Sequence, residues 1–289
     1  MSKIGYSGYL CYNTTNRLYR FPMGNGYRRF FGICQKLSKM WSKNKLKFVR
    51  SLTQKKYRDA ERAFLAEGAK VIGELSGAFR MRLLVATQEY LDKHPEVTAE
   101  EIDVVTSREL SQASALTTAH EALAVFEKPD RKVAFEMNPD DLVLALDGVQ
   151  DPGNVGTIIR LADWFGITNV VCSRETADAF SPKVVQATMG ALARVNVFYV
   201  DLPQWLEENK GQMPVYGTFM DGDNLYESTL TSHGIIVMGN EGKGISQAVE
   251  QHVSRRITIP NFPEGRPTVE SLNVAIATAV TCSEFRRRR

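Results

Sequence analysis

The sequence predicts an α/β protein, with a parallel sheet in its second half and a smaller α/β layer before it. Short apolar runs alternate with helical periods from Phe64 to Phe126 and again from Leu142 onward. Leu142–Leu146 is continuously apolar, which is typical of a parallel strand buried on both faces. A length of 289 residues favours two domains over one.

Predicted boundaries follow changes in composition. Residues 1–40 are basic and rich in Gly, Tyr and Asn without a sustained period, so we expect a disordered extension, and Met40 is an alternative start. The first domain is predicted over 41–128, with a basic helical lead-in, a helix over Ala69–Leu75, and a linker over 129–140. Its strands are expected at Phe64–Gly68 (with a turn), Arg82–Ala86, Ile102–Val105 and Ala122–Phe126.

The second domain is predicted over 141–289. A helical period follows the Asp151-Pro152-Gly153 turn, and a final helix is expected over Leu272–Phe285. Its six strands are expected at Leu142–Leu146, Val170–Cys172, Val195–Tyr199, Val215–Phe219, Ile235–Met238 and Ile257–Ile259.

Charge is strongly segregated along the chain. Residues 1–58 contain 14 Lys or Arg and no Asp or Glu, although the net charge of the whole chain is only +3. Such a footprint points to a polyanion, most often a nucleic acid, with a solvated tail or an acidic lipid contact as alternatives. The basic side chains after residue 42 are the candidates for RNA contact, and a merely solvated helix is the alternative: Lys43, Lys45, Lys47, Arg50, Lys55, Lys56 and Arg58.

The sequence gives no support for a membrane span, for secretion or for a metal site. No apolar run reaches the roughly 20 residues of a membrane span, and no secretion signal is visible, so we expect a cytoplasmic protein. The four cysteines are scattered and have no metal-ligand spacing, so no metal site is predicted.

Polar and glycine-rich turns follow several of the predicted strands, where α/β proteins bind ligands. Asn154-Val155-Gly156 lies at a strand-to-helix turn, where free N–H groups favour an anion. Arg160 lies within reach of this turn, or else pairs with Asp163 or Asp147. The glycines of the loop from Gly239 to Gly244 either let the backbone approach a neighbouring group closely or simply form a tight turn. It lacks the Lys-Ser/Thr of a Walker motif, and no dinucleotide fingerprint occurs.

In order along the chain, these stretches resemble the three motifs of the SpoU (TrmH-type) RNA ribose 2′-O-methyltransferases of the SPOUT superfamily. The matching residues are Asn154-x-Gly156-x-x-x-Arg160-x-Ala162, then Met238-Gly239-Asn240-Glu241-Gly242-x-Gly244-Ile245-Ser246, then Ile257-x-Ile259-Pro260 with Ser271-Leu272-Asn273-Val274. Residues 41–128 resemble, more loosely, the small ribosomal-protein-like RNA-binding domain of many members. Two departures are a longer stretch between Pro260 and Ser271, and Thr188 where the family tends to have Ser.

The resemblance implies a SPOUT domain with a C-terminal trefoil knot, a homodimer formed through that domain, and a structured RNA substrate (tRNA or rRNA). It also implies S-adenosylmethionine as cofactor, held largely by the backbone at Gly239, Ile259 and Leu272. The implied catalytic residues are Asn154, Arg160, Glu241, Ser271 and Asn273. We expect Arg160 to orient a phosphate, because a guanidinium stays protonated in proteins. A base-methylating knotted enzyme and a non-catalytic RNA-binding protein are the alternatives.

Overall fold

The computed structural model describes residues 11–12, 18–19, 41–116, 120–129, 138–263, 266–267, 269 and 271–287. The chain divides into a unit of residues 1–40 and a compact unit of residues 41–289. In the first unit, β1 (Cys11–Tyr12) pairs with β2 (Leu18–Tyr19) in antiparallel fashion. The rest of the predicted extension and most of the predicted linker lie outside the described residues. The division into domains at residues 128 and 141 stays a prediction.

The second unit contains two sheets and the helices that cover them. The elements of the part preceding residue 130 are α1 (Lys43–Ser51), α2 (Lys55–Glu61), β3 (Ala63–Glu67), α3 (Ala69–Ser76), β4 (Met81–Ala86), α4 (Gln88–Lys93), β5 (Glu101–Val104), α5 (Ser107–Ala113) and β6 (Ala122–Glu127). Their sheet has the order β3-β6-β4-β5, and only the β4–β5 pair is parallel. All four strands predicted for this part are confirmed. The lead-in is two helices instead of the single one that the basic run suggested.

The larger sheet is parallel throughout, as predicted. Its elements are β7 (Leu142–Asp147), α6 (Pro152–Trp164), β8 (Asn169–Ser173), α7 (Pro182–Thr188), a 3-10 turn (Ala191–Ala193), β9 (Asn196–Val200), α8 (Leu202–Glu208), β10 (Val215–Asn224), β11 (Gly234–Gly239), α9 (Gln247–Glu250), β12 (Arg255–Thr258) and α10 (Val274–Arg287). The strand order is β12-β10-β11-β7-β8-β9. The six predicted strands are confirmed, although Ile259 lies just beyond β12. The trefoil knot stays a prediction.

Local sequence explains the helix ends. Thr106 and Glu109 form a reciprocal capping box at the start of α5. The Asp151 side chain caps α6 by accepting from the backbone N–H of Asn154, and Pro152 occupies the first turn, where its missing N–H costs nothing. Helix α10 begins at Val274, two residues later than predicted, because Asn273 caps it: its Oδ1 accepts from the N–H groups of Ala275 and Ile276.

A shared apolar core joins the two sheets. One buried cluster runs from Phe64 and Phe126 of the small sheet to Leu144, Ile158 and Phe180 around the large one. A second cluster covers the other face of the large sheet, and a third lies between the small sheet and helices α1 and α5. Among the described residues, no helix has the length and apolarity required to span a membrane.

Candidate active site

The candidate site lies at the carboxyl edge of the large sheet. Strands β7, β11 and β12 run parallel and end at Asp147, Gly239 and Thr258, so the segments that follow them share one edge. The first two of these loops, and the segment leading into α10, carry the three sequence motifs. Parallel topology therefore brings together residues that are more than 100 positions apart in sequence.

The loop after β11 closes on itself and is tied to the turn after β7. Asn240 and Gly244 exchange two main-chain hydrogen bonds of 2.9 Å, and Gly244 adopts a φ of +69°, which favours glycine. A Cβ atom at Gly239 would overlap the main chain of Gly244, so this glycine allows the loop to fold back. The Asn240 amide donates to the Gly148 carbonyl at 2.7 Å. The alternative of a plain tight turn is therefore correct in part, because Gly239 and Gly244 allow the loop to fold back on itself.

The buried carboxylate of Asp147 provides a second tie. Its Oδ2 accepts a hydrogen bond of 2.7 Å from the backbone N–H of Ser246, at the far end of the same loop. Asn240 and Asp147 were not among the predicted site residues. Asn240 lies within the second motif, but a sequence gives no sign of which loop side chain anchors the loop.

Asn154 joins all three motifs through its side-chain amide. Its Nδ2 donates to Glu241 Oε1 at 2.9 Å, and its Oδ1 accepts from Asn273 Nδ2 at 3.0 Å. The capping bond from the Asn154 N–H to the Asp151 carboxylate fixes the Asn154 backbone, and the cap of α10 fixes Asn273. The structure thus brings together three of the five predicted catalytic residues in one hydrogen-bonded chain, which we call the Asn154 network.

Glu241 is held as a carboxylate. Desolvation opposes its ionisation, but the Asn154 amide and the backbone N–H groups of Glu241, Gln150 and Asp151 outweigh it and lower the pKa of Glu241. The longer contacts, from Gln150 and Asp151, measure 3.5 and 3.4 Å. A carboxylate with a lowered pKa is a poor proton acceptor near neutral pH, so this geometry favours an ordering role for Glu241.

The side chain of Arg160 is not bonded to the Asn154 network. It is exposed on α6, and within the described part of the chain its guanidinium makes no hydrogen bond or ion pair. The alternative of a salt bridge to Asp163 or Asp147 is wrong, because Asp163 pairs with Arg194 at 2.8 Å and Asp147 binds the Ser246 N–H. Ser271 is also exposed, and its hydroxyl has no hydrogen-bond partner among the described residues. Among the described residues, neither Ser271 nor Asn273 makes a hydrogen bond to Arg160.

The three residues expected to hold the cofactor lie beside this network. Gly239 ends β11, Ile259 follows β12, and Leu272 precedes Asn273. Among the described residues, no main-chain bond uses the N–H or C=O of Ile259 or Leu272. The Leu272 side chain is 49% exposed and offers an apolar contact at the same edge. A ligand bound mainly through backbone groups fits this arrangement.

The basic residues of α1 and α2 separate into two groups. Lys43, Lys47, Arg50, Lys55 and Lys56 are exposed. Lys45 instead bonds Asp103 at 2.6 Å and Glu101 at 2.8 Å.

Arg58 is a correction to the predicted RNA contacts. It is only 2% exposed and donates to the carbonyls of Leu52 and Thr53 and to the Asp178 carboxylate at 2.6 Å. Because all its donors point into the protein, Arg58 is withdrawn from the RNA-contact set.

In the described part of the chain, no three His, Cys, Asp or Glu side chains are grouped as metal ligands. Cys172 and Cys282 are buried free thiols, and desolvation raises the pKa of both well above the usual range.

Comparison with known families accounts for both parts of the described unit. Residues 141–283 match the model of the SpoU rRNA methylase family, and residues 43–143 match the model of the MRM3-like substrate-binding domain. The chain is also 30% identical over 246 residues to the 23S rRNA guanosine-2′-O-methyltransferase RlmP of Bacillus subtilis, covering 84% of this chain and 96% of that relative. The chain belongs to the SpoU rRNA methylase family. The resemblance seen in the motifs is thereby confirmed.

Other relatives match over different extents. The 23S rRNA guanosine-2′-O-methyltransferase RlmB of Neisseria meningitidis is 34% identical over 160 residues, which cover 54% of this chain and 62% of that protein. A TrmH-family protein from Porphyromonas gingivalis is 45% identical in sequence, with a TM-score of 0.78 over 87% of this chain and all of that one. The AdoMet-bound rRNA methyltransferase from Sinorhizobium meliloti is 28% identical, with a TM-score of 0.74 over 88% and 98% of the two chains.

Proposed function

We propose that this SpoU-family chain transfers a methyl group from S-adenosylmethionine to a ribose 2′-hydroxyl of ribosomal RNA. The observation that carries the proposal is the Asn154 network, in which all three family motifs meet at one sheet edge. Ribosomal RNA is favoured over tRNA because a curated relative that matches over 96% of its length is named for 23S rRNA. An AdoMet-bound relative with the same fold supports the cofactor.

The cofactor would lie against Gly239, Ile259 and Leu272, where backbone groups and an exposed leucine are available. When bound, S-adenosylmethionine supplies a methyl group already activated on a sulfonium. What the protein adds is alignment of the ribose oxygen and help in removing its proton. Asn154 and Asn273 place polar amides at this edge, and Glu241 keeps the loops in register.

Arg160 supplies the positive charge that this reaction needs. Its guanidinium stays protonated, so it acts as a fork that holds an RNA phosphate and stabilises the alkoxide that develops on the 2′-oxygen. An oxygen of the RNA phosphate then accepts the proton. Ser271, exposed beside Leu272, would hold the ribose.

A second copy of the chain would bring Arg160 into place. Arg160 and Trp164 are four residues apart on α6 and share one face, and Trp164 is 83% exposed. Ile276, on the neighbouring helix α10, is 55% exposed. A contiguous exposed apolar patch marks an interaction surface, and these two side chains lie on helices that contact each other. We infer a homodimer in which this face is covered and each Arg160 serves the partner's Asn154 network.

Mixing two inactive variants tests the dimer. Arg160→Ala and Asn273→Ala are each expected to lose methyl transfer. An equimolar mixture of the two variants is expected to regain up to about a quarter of wild-type activity, because half of its dimers are mixed and each mixed dimer has one intact site of two. Trp164→Glu is expected to convert the dimer to a monomer in sedimentation. A monomeric wild-type protein, or mixtures that stay inactive despite subunit exchange, would refute the shared site.

Methyl transfer itself is tested with labelled S-adenosylmethionine and unmodified transcripts of ribosomal RNA and tRNA. Label is expected in the ribosomal transcript and absent from tRNA. Transfer into a base would favour the base-methylating alternative, and RNA binding without transfer would favour the non-catalytic alternative, if transfer is absent from every RNA tested.

The free thiols Cys172 and Cys282 agree with a reducing compartment, and we infer a cytoplasmic location.

The exposed Lys43, Lys47, Arg50, Lys55 and Lys56 are the proposed phosphate contacts of the substrate-binding part.

A further inference from the structure

A cleft of about 620 Å³ opens between the part of the chain that precedes residue 130 and the large sheet, and no residue of the three motifs lines it. One wall comes from α2 and the end of β6, and the other from β9 and the segment after β8. Its charged lining is predominantly basic: Lys55, Arg62, Lys128 and Arg174, against Asp59 and Asp178. Neither the proposed catalysis nor the predicted RNA-contact set accounts for this cleft as a whole.

The two carboxylates of the cleft are already engaged by other basic side chains, and Arg174 is left to a ligand. Asp178 is already bound by the buried Arg58, and Asp59 is shared by Lys55 and Lys128 at 2.6 and 2.5 Å. Arg174 is exposed, and within the described ranges its side chain makes no hydrogen bond or ion pair. A partnerless guanidinium at the rim of a basic cleft suits a phosphate, which it can bind through two parallel hydrogen bonds.

An aromatic ring forms part of the wall. Tyr199 is 39% exposed, yet its hydroxyl is fixed: it donates to the Ala177 carbonyl at 2.5 Å and accepts from the Ala179 N–H at 2.7 Å. The polar end of this side chain is therefore satisfied inside the protein, while the ring lines the cleft. A fixed, partly exposed ring beside basic side chains is the combination that binds unpaired nucleotides, because any base can stack on it.

The register of the sheet places this cleft close to the candidate active site. Leu146 of β7 pairs with Cys172 of β8, which pairs with Tyr199 of β9. Two strand spacings, about 10 Å, thus separate the end of β7 from Tyr199. The loops are also joined directly, since the Ala177 N–H donates to the Val149 carbonyl at 2.9 Å. A strand of RNA leaving the Asn154 network would reach the cleft within a few nucleotides.

We propose that this cleft binds an unpaired nucleotide flanking the methylated residue, with its base on the Tyr199 ring and its phosphate on Arg174. The proposal rests on the proposed RNA methyl transfer and extends it to how the substrate is held. Tyr199 and Arg174 are positioning residues here, because they touch the RNA outside the reacting atoms.

The charge contact is tested with Arg174→Glu against Lys210→Glu. Lys210 follows α8, which covers the opposite face of the sheet, and it pairs with Glu207 on the surface. For Arg174→Glu we expect the KM for the ribosomal transcript and the Kd for a labelled single-stranded RNA oligonucleotide to rise about tenfold. The slope of the logarithm of RNA affinity against the logarithm of salt concentration should become shallower by about 0.7, the contribution of one phosphate contact to single-stranded RNA. The kcat and the KM for S-adenosylmethionine should stay at wild-type values.

The stacking contact is tested with Tyr199→Leu against Tyr199→Phe. Phe keeps the ring and should keep RNA affinity, whereas Leu should weaken oligonucleotide binding by roughly 5- to 150-fold, the range measured for stacked bases. Fluorescence anisotropy of the oligonucleotide gives this readout without any turnover. Equal weakening by Phe and Leu would assign the effect to the lost hydroxyl bonds and overturn stacking.

The two proposals fail in different ways. If the wild-type enzyme transfers no methyl group, the proposed function fails, and oligonucleotide binding still tests the cleft. If transfer occurs and Arg174→Glu behaves like Lys210→Glu in both KM and Kd, the cleft proposal is wrong while the function stands. Free GMP distinguishes the source of the nucleotide: binding of GMP that is lost in both cleft variants without a change in RNA affinity would also overturn the proposal.

Discussion

Replacing Asn154 with Asp perturbs the site by one atom and tests the Asn154 network directly. The amide that donates to Glu241 at 2.9 Å becomes a carboxylate facing a carboxylate, while the oxygen that accepts from Asn273 is retained. For charges about 4 Å apart and an effective dielectric constant of about 20 to 40, the repulsion is about 2 to 4 kcal/mol. If this energy opposes the competent arrangement of the loops, methyl transfer slows roughly 30- to 900-fold.

Two measurements check this reasoning. Because like charges raise the pKa of the pair, a proton is retained to higher pH, and the deficit of Asn154→Asp relative to wild type should shrink as the pH falls. The double variant Asn154→Asp with Glu241→Gln restores an amide facing a carboxylate, with donor and acceptor exchanged. It should recover activity relative to Asn154→Asp in single-turnover methyl transfer. A double variant no faster than Asn154→Asp would refute the claim that this hydrogen bond orders the site.

Three further predictions concern stability, measured by chemical denaturation. Arg58→Ala should cost about 3 to 5 kcal/mol, because the largely buried carboxylate of Asp178 loses its ion-pair partner. Replacing the exposed neighbour, Lys56→Ala, should be nearly neutral, and equal effects of the two changes would contradict the role of the ion pair. Gly156→Ala should cost about 1 to 3 kcal/mol, because the new Cβ would overlap the Ala187 side chain and lie 2.9 Å from the Val184 carbonyl oxygen. The control Gly73→Ala should not destabilise the protein, because the space around Gly73 is open. The pKa of Glu241 is lowered in the folded protein, so the stabilisation by its carboxylate is fully present above its ordinary pKa of 4.5 and is lost as the pH falls through the folded value. Glu241→Gln should therefore lose less stability than wild type on acidification from neutral pH to pH values below 4.5. Parallel losses in the two proteins would refute the assignment.

The strands were predictable because burial on both faces requires continuous apolar runs. Leu142–Leu146 and Ile235–Met238 are such runs, and β7 and β11 pair in the interior of the sheet. The meeting of Asn154, Glu241 and Asn273 was predictable only through the family motifs. Parallel topology places the three segments at one edge, but which atoms bond follows from the caps at Asp151 and Asn273.

Residues whose roles depend on long-range docking could not be predicted. Arg58 belongs to a uniformly basic run in sequence, and nothing there distinguishes it from its exposed neighbour Lys56. Its burial follows from Asp178, 120 positions away, which the packing of α2 against the segment after β8 brings within 2.6 Å. The ring of Tyr199 and the rim residue Arg174 form a cleft for the same reason.

The most direct test of the central claim is alkaline hydrolysis of a ribosomal RNA transcript after incubation with the enzyme and S-adenosylmethionine. A methyl group on the 2′-oxygen removes the nucleophile that cleaves the adjacent phosphodiester, so ribose methylation leaves one bond resistant. We predict a single resistant position that contains the transferred methyl group and is absent with Arg160→Ala, whose stability should equal that of wild type. Transfer of the methyl group to RNA that is hydrolysed at every position would contradict ribose 2′-O-methylation.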